Sequence, residues 1–447
     1  MEYTFFADIT SWFFISVMLG LALQTIVSGI LDWLNNRKIN VRKFLGMLKE
    51  TSDKIDTKVL NVKNMHKALA YKSTKGSFSD MVGSISSTTS MMVVILGLVP
   101  FSVALVSHWF PSLPMVWCWI ISSMAISLIK TVLSIPASWY LTFRIEDKFG
   151  FKAKGYTLKD FIKDIVKGAV IGLCMGIPLQ MFINWCLQTF SGISILNILG
   201  FVLSLVVLGA IVKFLFVNVI MPLFNKFEPL QEGTLKDKLN RLCESCGIKA
   251  STISVMDASR RDNHGNAFVC GYFGKKKIVI YDTLLKTLTE DEIVGIVAHE
   301  IGHSKLHHIL LNNLMMIVKT MFIVALVLVL IKIPEMYTAF GYSWVTAENI
   351  GDNLLIGFML TLAVFGAFSW ILTPLWSWIS RKMEYAADRF AVEHSPSGIS
   401  LANALVKLTA SNLADAFPHP AYEFVHYSHP SILPRIKAIV KNATDRS

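Results

Sequence analysis

The sequence is short of charge. Of its 447 residues only 16% are Asp, Glu, Lys or Arg, while 53% are hydrophobic; a soluble globular chain carries about 25% charged residues. Acidic residues are the scarcer sign, 31 against 42 Lys and Arg, for a net charge of +11. A basic excess suits either a nucleic-acid surface or the cytosolic loops of a membrane protein. Here the basic residues fall between long apolar runs and not on one polar domain, which argues for a lipid bilayer and against nucleic acid as the partner. Cysteine is sparse as well. Cys118, Cys174 and Cys186 lie in apolar runs. Cys243 and Cys246 form a C-x-x-C pair with no second pair or nearby His, so they read as two reduced thiols one helical turn apart. A cleavable signal peptide is also missing, because the first apolar run is too long for one and has no basic residues before it. No internal repeat or low-complexity segment is present.

Long apolar runs take the place of charge. A helix needs about 20 apolar residues to cross a bilayer, and seven segments qualify: 9–33, 91–110, 116–140, 165–187, 195–221, 309–333 and 354–378. Pro100, Pro178 and Pro374 lie inside three of them, which membrane helices tolerate where neighbours satisfy the freed backbone. Lys and Arg cluster after the first, third, fifth and seventh segments, notably over 37–75, 144–159 and 226–277 and at Arg381 and Lys382. The loops near Pro111, Gly192 and Gly341 are almost free of them. This alternation predicts an extracytoplasmic N-terminus and a cytosolic C-terminus.

The resulting division is 1–221, five spans with basic cytosolic loops; 222–308, a folded cytosolic piece; 309–379, two spans; and 380–447, a helical cytosolic tail. Within 222–308 the pattern predicts a helix over 235–246 and a strand over 252–256. Two further strands, 267–271 and 277–281, would be joined through Gly274 as a hairpin. A helix then opens at Thr289 with Glu292 three residues on, the spacing of a capping box.

That helix runs into His299-Glu300-Ile301-Gly302-His303. Residues four apart share a helix face, so both imidazoles can reach one zinc ion, with Glu300 beside them to take a proton from an attacking water. Chance would place this pattern in about one such chain in a hundred. A catalytic zinc needs a third protein ligand and an open position. The strongest candidate is Glu384, because the sixth and seventh spans form a membrane hairpin that returns the chain to the face it left just after His303. Asp388, one turn later, is placed to accept the free N–H of a ligand His. His307 and His308 read as peripheral, since a straight helix does not bring three successive turns to one ion. His426 and His429 sit in the cytosolic tail, where either could enter the zinc cleft.

These features together resemble the type-one CAAX prenyl proteases, integral-membrane zinc endopeptidases of the gluzincin class. The resemblance covers nearly the whole chain. It rests on Ile145-Glu146-Asp147-Lys148-Phe149-Gly150-Phe151, on Met221-Pro222-Leu223-Phe224-Asn225-Lys226-Phe227, on Asn266-Ala267-Phe268, on His299 to His303, on Glu384 with Asp388, and on His426-Tyr427-Ser428-His429-Pro430 with Arg435. It implies an all-α membrane fold of about seven helices forming a chambered barrel, with a small α+β protease domain on the cytosolic face. It also implies one Zn2+ per chain on His299, His303 and Glu384, with Glu300 as the base. Asn266, His429 and Arg435 would contact the substrate or its developing oxyanion. Ser304 stands where many relatives have Trp, and Gly265 and Cys270 replace commoner residues around Asn266. Lys130, Lys213 and Lys319 fall inside predicted spans, where facing a water-filled chamber removes the several kcal/mol that a lipid-facing charge costs.

The expected function is removal of the C-terminal tripeptide from prenylated CAAX proteins by a monomer, with the substrate extended beside the strand bearing Ala267 and Phe268. Two other readings remain at this point. One is a broad-specificity quality-control metalloprotease of the HtpX type, against which the five spans before the zinc motif argue. The other is a transporter or channel with a vestigial zinc site, against which the intact Glu300 argues.

Overall fold

The computed structural model describes residues 7–36, 41–51, 55, 57–248, 250–272, 275–395 and 397–445. Arg37, Lys38 and Lys54 of the first basic stretch, and Gly274 of the expected hairpin turn, lie outside these residues.

Apolar runs become long helices. Helix α1 spans Trp12–Asn35. A pair follows, α2 (Val62–Ile95) and α3 (Leu98–Trp109), bent by 54° at the break. Gly97, at φ 60°, makes that break, and Pro100 falls in the first turn of α3, where its missing N–H costs nothing. Helix α2 begins well before the expected start at residue 91. Asn61 caps it by accepting from the Asn64 N–H at 2.9 Å, and its basic residues find acidic partners, Lys72 with Asp415 at 2.7 Å and Lys75 with Glu146 at 2.9 Å. Then come α4 (Met115–Tyr140), α5 (Leu158–Thr189) and α6 (Ile195–Leu215).

After α6 the chain forms the polar domain. Strands β1 (Phe227–Pro229), β2 (Ala250–Met256), β3 (Ala267–Tyr272) and β4 (Lys275–Tyr281) make one sheet in the order β1-β2-β4-β3. Strands β3 and β4 pair antiparallel with Ala267 opposite Ile280, so β3 is an edge strand as expected. Helix α7 (Thr234–Ser245) precedes β2. Cys243 at its end is a buried free thiol pushed up to about 11 by burial, which fits an inert role. Helix α8 (Glu290–Lys305) opens on the expected capping box, with the Thr289 N–H donating to Glu292 at 2.8 Å. Its residues from Glu292 to Gly302 are buried except Glu300, so the helix lies in the middle of the domain.

The membrane hairpin is α9 (His308–Leu330) and α10 (Leu354–Ser369). The seventh span runs on as expected, one helical stretch over 350–394 that tightens locally at Trp370–Leu372. Pro374 lies inside that stretch, in the first turn of its last part, α11 (Thr373–His394), where the local tightening leaves its missing N–H without cost. Helices α12 (Ser400–Ser411), α13 (Pro420–His426) and α14 (Ile432–Thr444) complete the chain.

The core is in two main parts. One joins the polar domain with the C-terminal helices through residues such as Leu239, Ile280, Val297, Val406 and Ile436. The other joins the far ends of the spans through Val103, Ile120, Leu187, Phe201, Val327 and Tyr337. Between them α4, α5 and α9 bury almost nothing. No residue is buried from 123 to 144 around the end of α4, from 162 to 185 on α5, or from 309 to 323 on α9. Close-packed helices would bury a stripe along their length. These are tied at both ends and stand apart in the middle, the geometry of a cage around a chamber. Lys130 and Lys319 lie in these open stretches and Lys213 in the likewise unburied stretch 203–224 that begins on α6, with Lys319 over the Phe365 ring at 5.9 Å. The two ends of α1 mark the two faces of the bundle: the Asp8 N–H donates to the carbonyl of Ala339 in the α9–α10 connection, and Asn35 accepts from the His419 N–H of the polar side at 2.8 Å.

Candidate metal centre

The site forms where α8 and α11 cross. The helices approach closely because the facing residues are small. A Cβ on Gly302 would stand 3.3 Å from the Ala387 backbone, and Ala387 and Ala391 are fully buried. Glu384, one turn before Ala387, is thereby delivered to the two histidines. The hairpin α9–α10 lies between these helices in sequence and returns the chain to the same face, as expected.

Three groups converge. His299 Nε2 and His303 Nε2 are 3.2 Å apart, His299 Nε2 is 3.4 Å from Glu384 Oε2, and His303 Nε2 is 3.3 Å from Glu384 Oε1. Ligand atoms about 2.05 Å from a tetrahedral zinc are separated by roughly 3.3 Å, the spacing found here between the two imidazoles and from each imidazole to its own oxygen of Glu384, so the three groups surround room for one ion. Glu384 Oε2 is buried and accepts no hydrogen bond, an expensive arrangement for a carboxylate oxygen unless a cation meets it. Of the possible metal clusters among the described residues, this is the one the geometry supports.

A second layer holds these groups. Asp388 Oδ1 lies 2.9 Å from His299 Nδ1, as its spacing predicted. Burial alone would lower the His299 imidazole, but the Asp388 and Glu384 carboxylates outweigh it and raise it to about 9. A cation seated here would take the place of that proton. Arg435 grips Asp388 with both arms, Nε to Oδ2 at 2.9 Å and Nη2 to Oδ1 at 2.6 Å, and its Nη2 is 3.7 Å from Glu384 Oε2. It is buried beneath the carboxylates.

The remaining expected residues surround the cluster. Glu300 is half-buried and makes no hydrogen bond or ion pair among the described residues; burial raises its carboxyl above the ordinary value while the two imidazoles oppose the shift. His429 is exposed, with Nε2 3.4 Å from Glu384 Oε1. It is held there because Arg381 and Ser377 of α11 donate to the carbonyls of Tyr427 and Val425. His426 turns instead onto the Tyr422 ring, 4.6 Å away. Asn266 precedes the edge strand, its side chain accepting from the Ala267 N–H at 2.9 Å, with Phe268 half-buried beyond.

Two groups escaped the sequence reading. Asn412 clamps the backbone of Gly265 from both sides, at 2.9 and 3.1 Å, and so fixes the loop carrying Asn266. Gly265 itself packs tightly, since a Cβ there would meet Leu408 and Leu284 at 3.2 and 3.3 Å. The other is His308. It is not peripheral: it is buried, with Nδ1 3.0 Å from His303 Nδ1, because the helix breaks just before it. His307 is peripheral as expected, exposed and in the left-handed region at φ 57°.

Sequence profiles of two kinds match the chain. "CAAX prenyl protease N-terminal, five membrane helices" matches residues 47–226, and "Peptidase family M48" matches 229–443. A CAAX prenyl protease 1 homolog of Oryza sativa is 33% identical over 314 residues, 69% of this chain and 70% of its own. The probable CAAX prenyl protease 1 of Schizosaccharomyces pombe is 29% identical over 88% of this chain and 83% of its own, and a human homolog 28% over 85% and 87%. The crystal structure of S. mikatae Ste24p superposes with a TM-score of 0.79 at 25% identity, covering 96% of this chain and 99% of that one. The chain is a multi-pass membrane metalloendopeptidase, and it belongs to the CAAX prenyl protease 1 family within peptidase family M48.

Proposed function

We propose that this protein removes the C-terminal tripeptide of prenylated CAAX proteins by zinc-dependent hydrolysis. The observation that carries the reading is the cluster of His299, His303 and Glu384, whose 3.2 to 3.4 Å separations suit one zinc per chain, with an unpaired Glu300 next to it. Zinc bound there would polarise the scissile carbonyl and acidify a water. Glu300, raised by burial toward neutrality, takes the proton of the attacking water and returns it to the leaving amine. His429, exposed at the rim, donates to the oxygen on which negative charge develops. Arg435 holds Asp388 and Glu384 in place from behind.

The substrate lies extended along β3, taking main-chain hydrogen bonds from its free edge beside Asn266, Ala267 and Phe268. Its lipid enters the chamber between the spans. Residues 222–308 and 380–447 form the catalytic unit on the cytosolic side, carried by the spans of 1–221 and 309–379, with the N-terminus on the extracytoplasmic side. The basic loops after alternate spans support that orientation.

The test uses purified protein in detergent with two peptides of the same C-terminal sequence, one prenylated and one not. Cleavage of the prenylated peptide three residues from its end, with the other left intact, is expected. Equal cleavage of both favours a broad-specificity protease.

A further inference from the structure

We propose that His308 is a positioning residue: its Nδ1 accepts the Nδ1–H of His303 and thereby fixes the tautomer and ring orientation of that metal ligand. The inference rests on reading His299, His303 and Glu384 as ligands. If His303 offers its Nε2 lone pair to a cation, the neutral imidazole carries its proton on Nδ1, and that N–H, pointed at the buried His308, needs an acceptor there. His308 Nδ1 is 3.0 Å from that nitrogen, and it is the acceptor that the structure provides there. The rings meet near-perpendicular, with centroids 5.0 Å apart, so the contact is edge-on and not a stack. His308 is 7% exposed, so water does not readily substitute for it.

The backbone is shaped for this contact. Helix α8 ends as Leu306 N–H bonds the Gly302 carbonyl, and His307 then takes φ 57°, ψ 24° before α9 begins at His308. A non-glycine residue is disfavoured in that region, because its Cβ crowds the following carbonyl, so the surrounding packing holds His307 there. Had the helix run straight, residue 308 would point about 140° away from residue 303. The left-handed residue turns it back.

The two ligand histidines are thus supported differently. Asp388 faces Nδ1 of His299 and brings a negative charge, whereas His308 faces Nδ1 of His303 and brings none. A second carboxylate would add charge to a pocket that already buries Asp388 and Glu384.

The experiment is zinc affinity, measured by competition with a chromophoric chelator on the full-length protein in detergent. Wild type, His308→Leu and His308→Asn are compared. Leu fills the space without accepting; Asn retains an oxygen near the position of Nδ1. Loss of such a supporting partner weakens a metal by about 10- to 100-fold, so His308→Leu should fall in that range while His308→Asn stays within about threefold of wild type. Wild-type affinity in His308→Leu, or equal weakening in both variants, overturns the proposal. Should His308→Leu not fold, His308→Ala is measured under the same criteria. A wild-type protein that takes up no zinc overturns the ligand assignment itself, and this inference with it.

Discussion

Replacing Arg435 by Met separates two roles that the sequence could not. The resemblance puts Arg435 against the substrate, where its loss would slow turnover and leave stability alone. The structure buries it under Asp388, which is fully enclosed, and Glu384, which is 3% exposed. Met keeps the stem and removes the charge, leaving two neighbouring carboxylates in the interior with only the His299 imidazole between them to balance their charge. Removing one partner of a buried ion pair costs about 3–5 kcal/mol. Thermal unfolding in detergent with a chelator should therefore fall well below wild type. Saturating zinc should recover much of the loss, because a ligand at a thousand times its dissociation constant stabilises by about 4 kcal/mol and brings positive charge to Glu384. Arg435→Lys should lie between, since an ammonium cannot reproduce the two-armed grip on Asp388. A variant that unfolds at the wild-type temperature in chelator, yet turns over slowly, refutes this reasoning and restores Arg435 to the substrate side.

Glu300→Gln should keep about one zinc per chain and lose nearly all peptide cleavage, read by metal analysis and peptide assay on one preparation. Glu384→Ala should lose zinc to a mild chelator, because two imidazoles alone hold it weakly; stoichiometric zinc after dialysis would remove Glu384 from the ligand set. His429→Ala should lower kcat by about 100- to 1000-fold with little change in KM and with zinc retained. A lower melting temperature at an unchanged rate would instead make His429 a packing residue. Cysteines placed at the exposed positions Ile193 and Ala347 should react with an impermeant thiol reagent from outside, and one at Glu244 should not; the opposite labelling would invert the orientation.

What the sequence disclosed was whatever depends on spacing along one element or on alternation between elements. The His299 and His303 pair, the Glu292 capping box and the antiparallel pairing of β3 with β4 are local patterns, and the structure contains each of them. The approach of Glu384 is long-range, yet it was legible because a membrane allows only two faces for a hairpin to return to. Other contacts obey neither rule. The grip of Arg435 on Asp388 and the clamp of Asn412 on Gly265 join segments 47 and 147 residues apart with no periodicity to announce them. Helix α2 was hidden for a different reason. Its lysines looked like a loop until Asp415 and Glu146, both distant in sequence, proved to be their partners. His308 was misread because helical geometry was extended through His307, where a single left-handed residue ends it.

That misreading bears on how the site is built. Helix α8 carries His299, His303 and Glu300, the two proposed ligands and the proposed base, but the third proposed ligand comes from α11, which reaches it only after the α9–α10 hairpin. The break at His307 lies at the junction between these two tasks. It ends the polar helix, starts the span and turns His308 onto His303 within three residues. The first residue of the sixth span therefore touches a group proposed to bind the metal. The close crossing at Gly302 and Ala387 does the same for α11, which continues the seventh. The proposed ligands are thus joined by direct contacts to both ends of the α9–α10 hairpin. The packing at both ends of the bundle seats α9 and α10, and α11 then brings Glu384 to the two histidines.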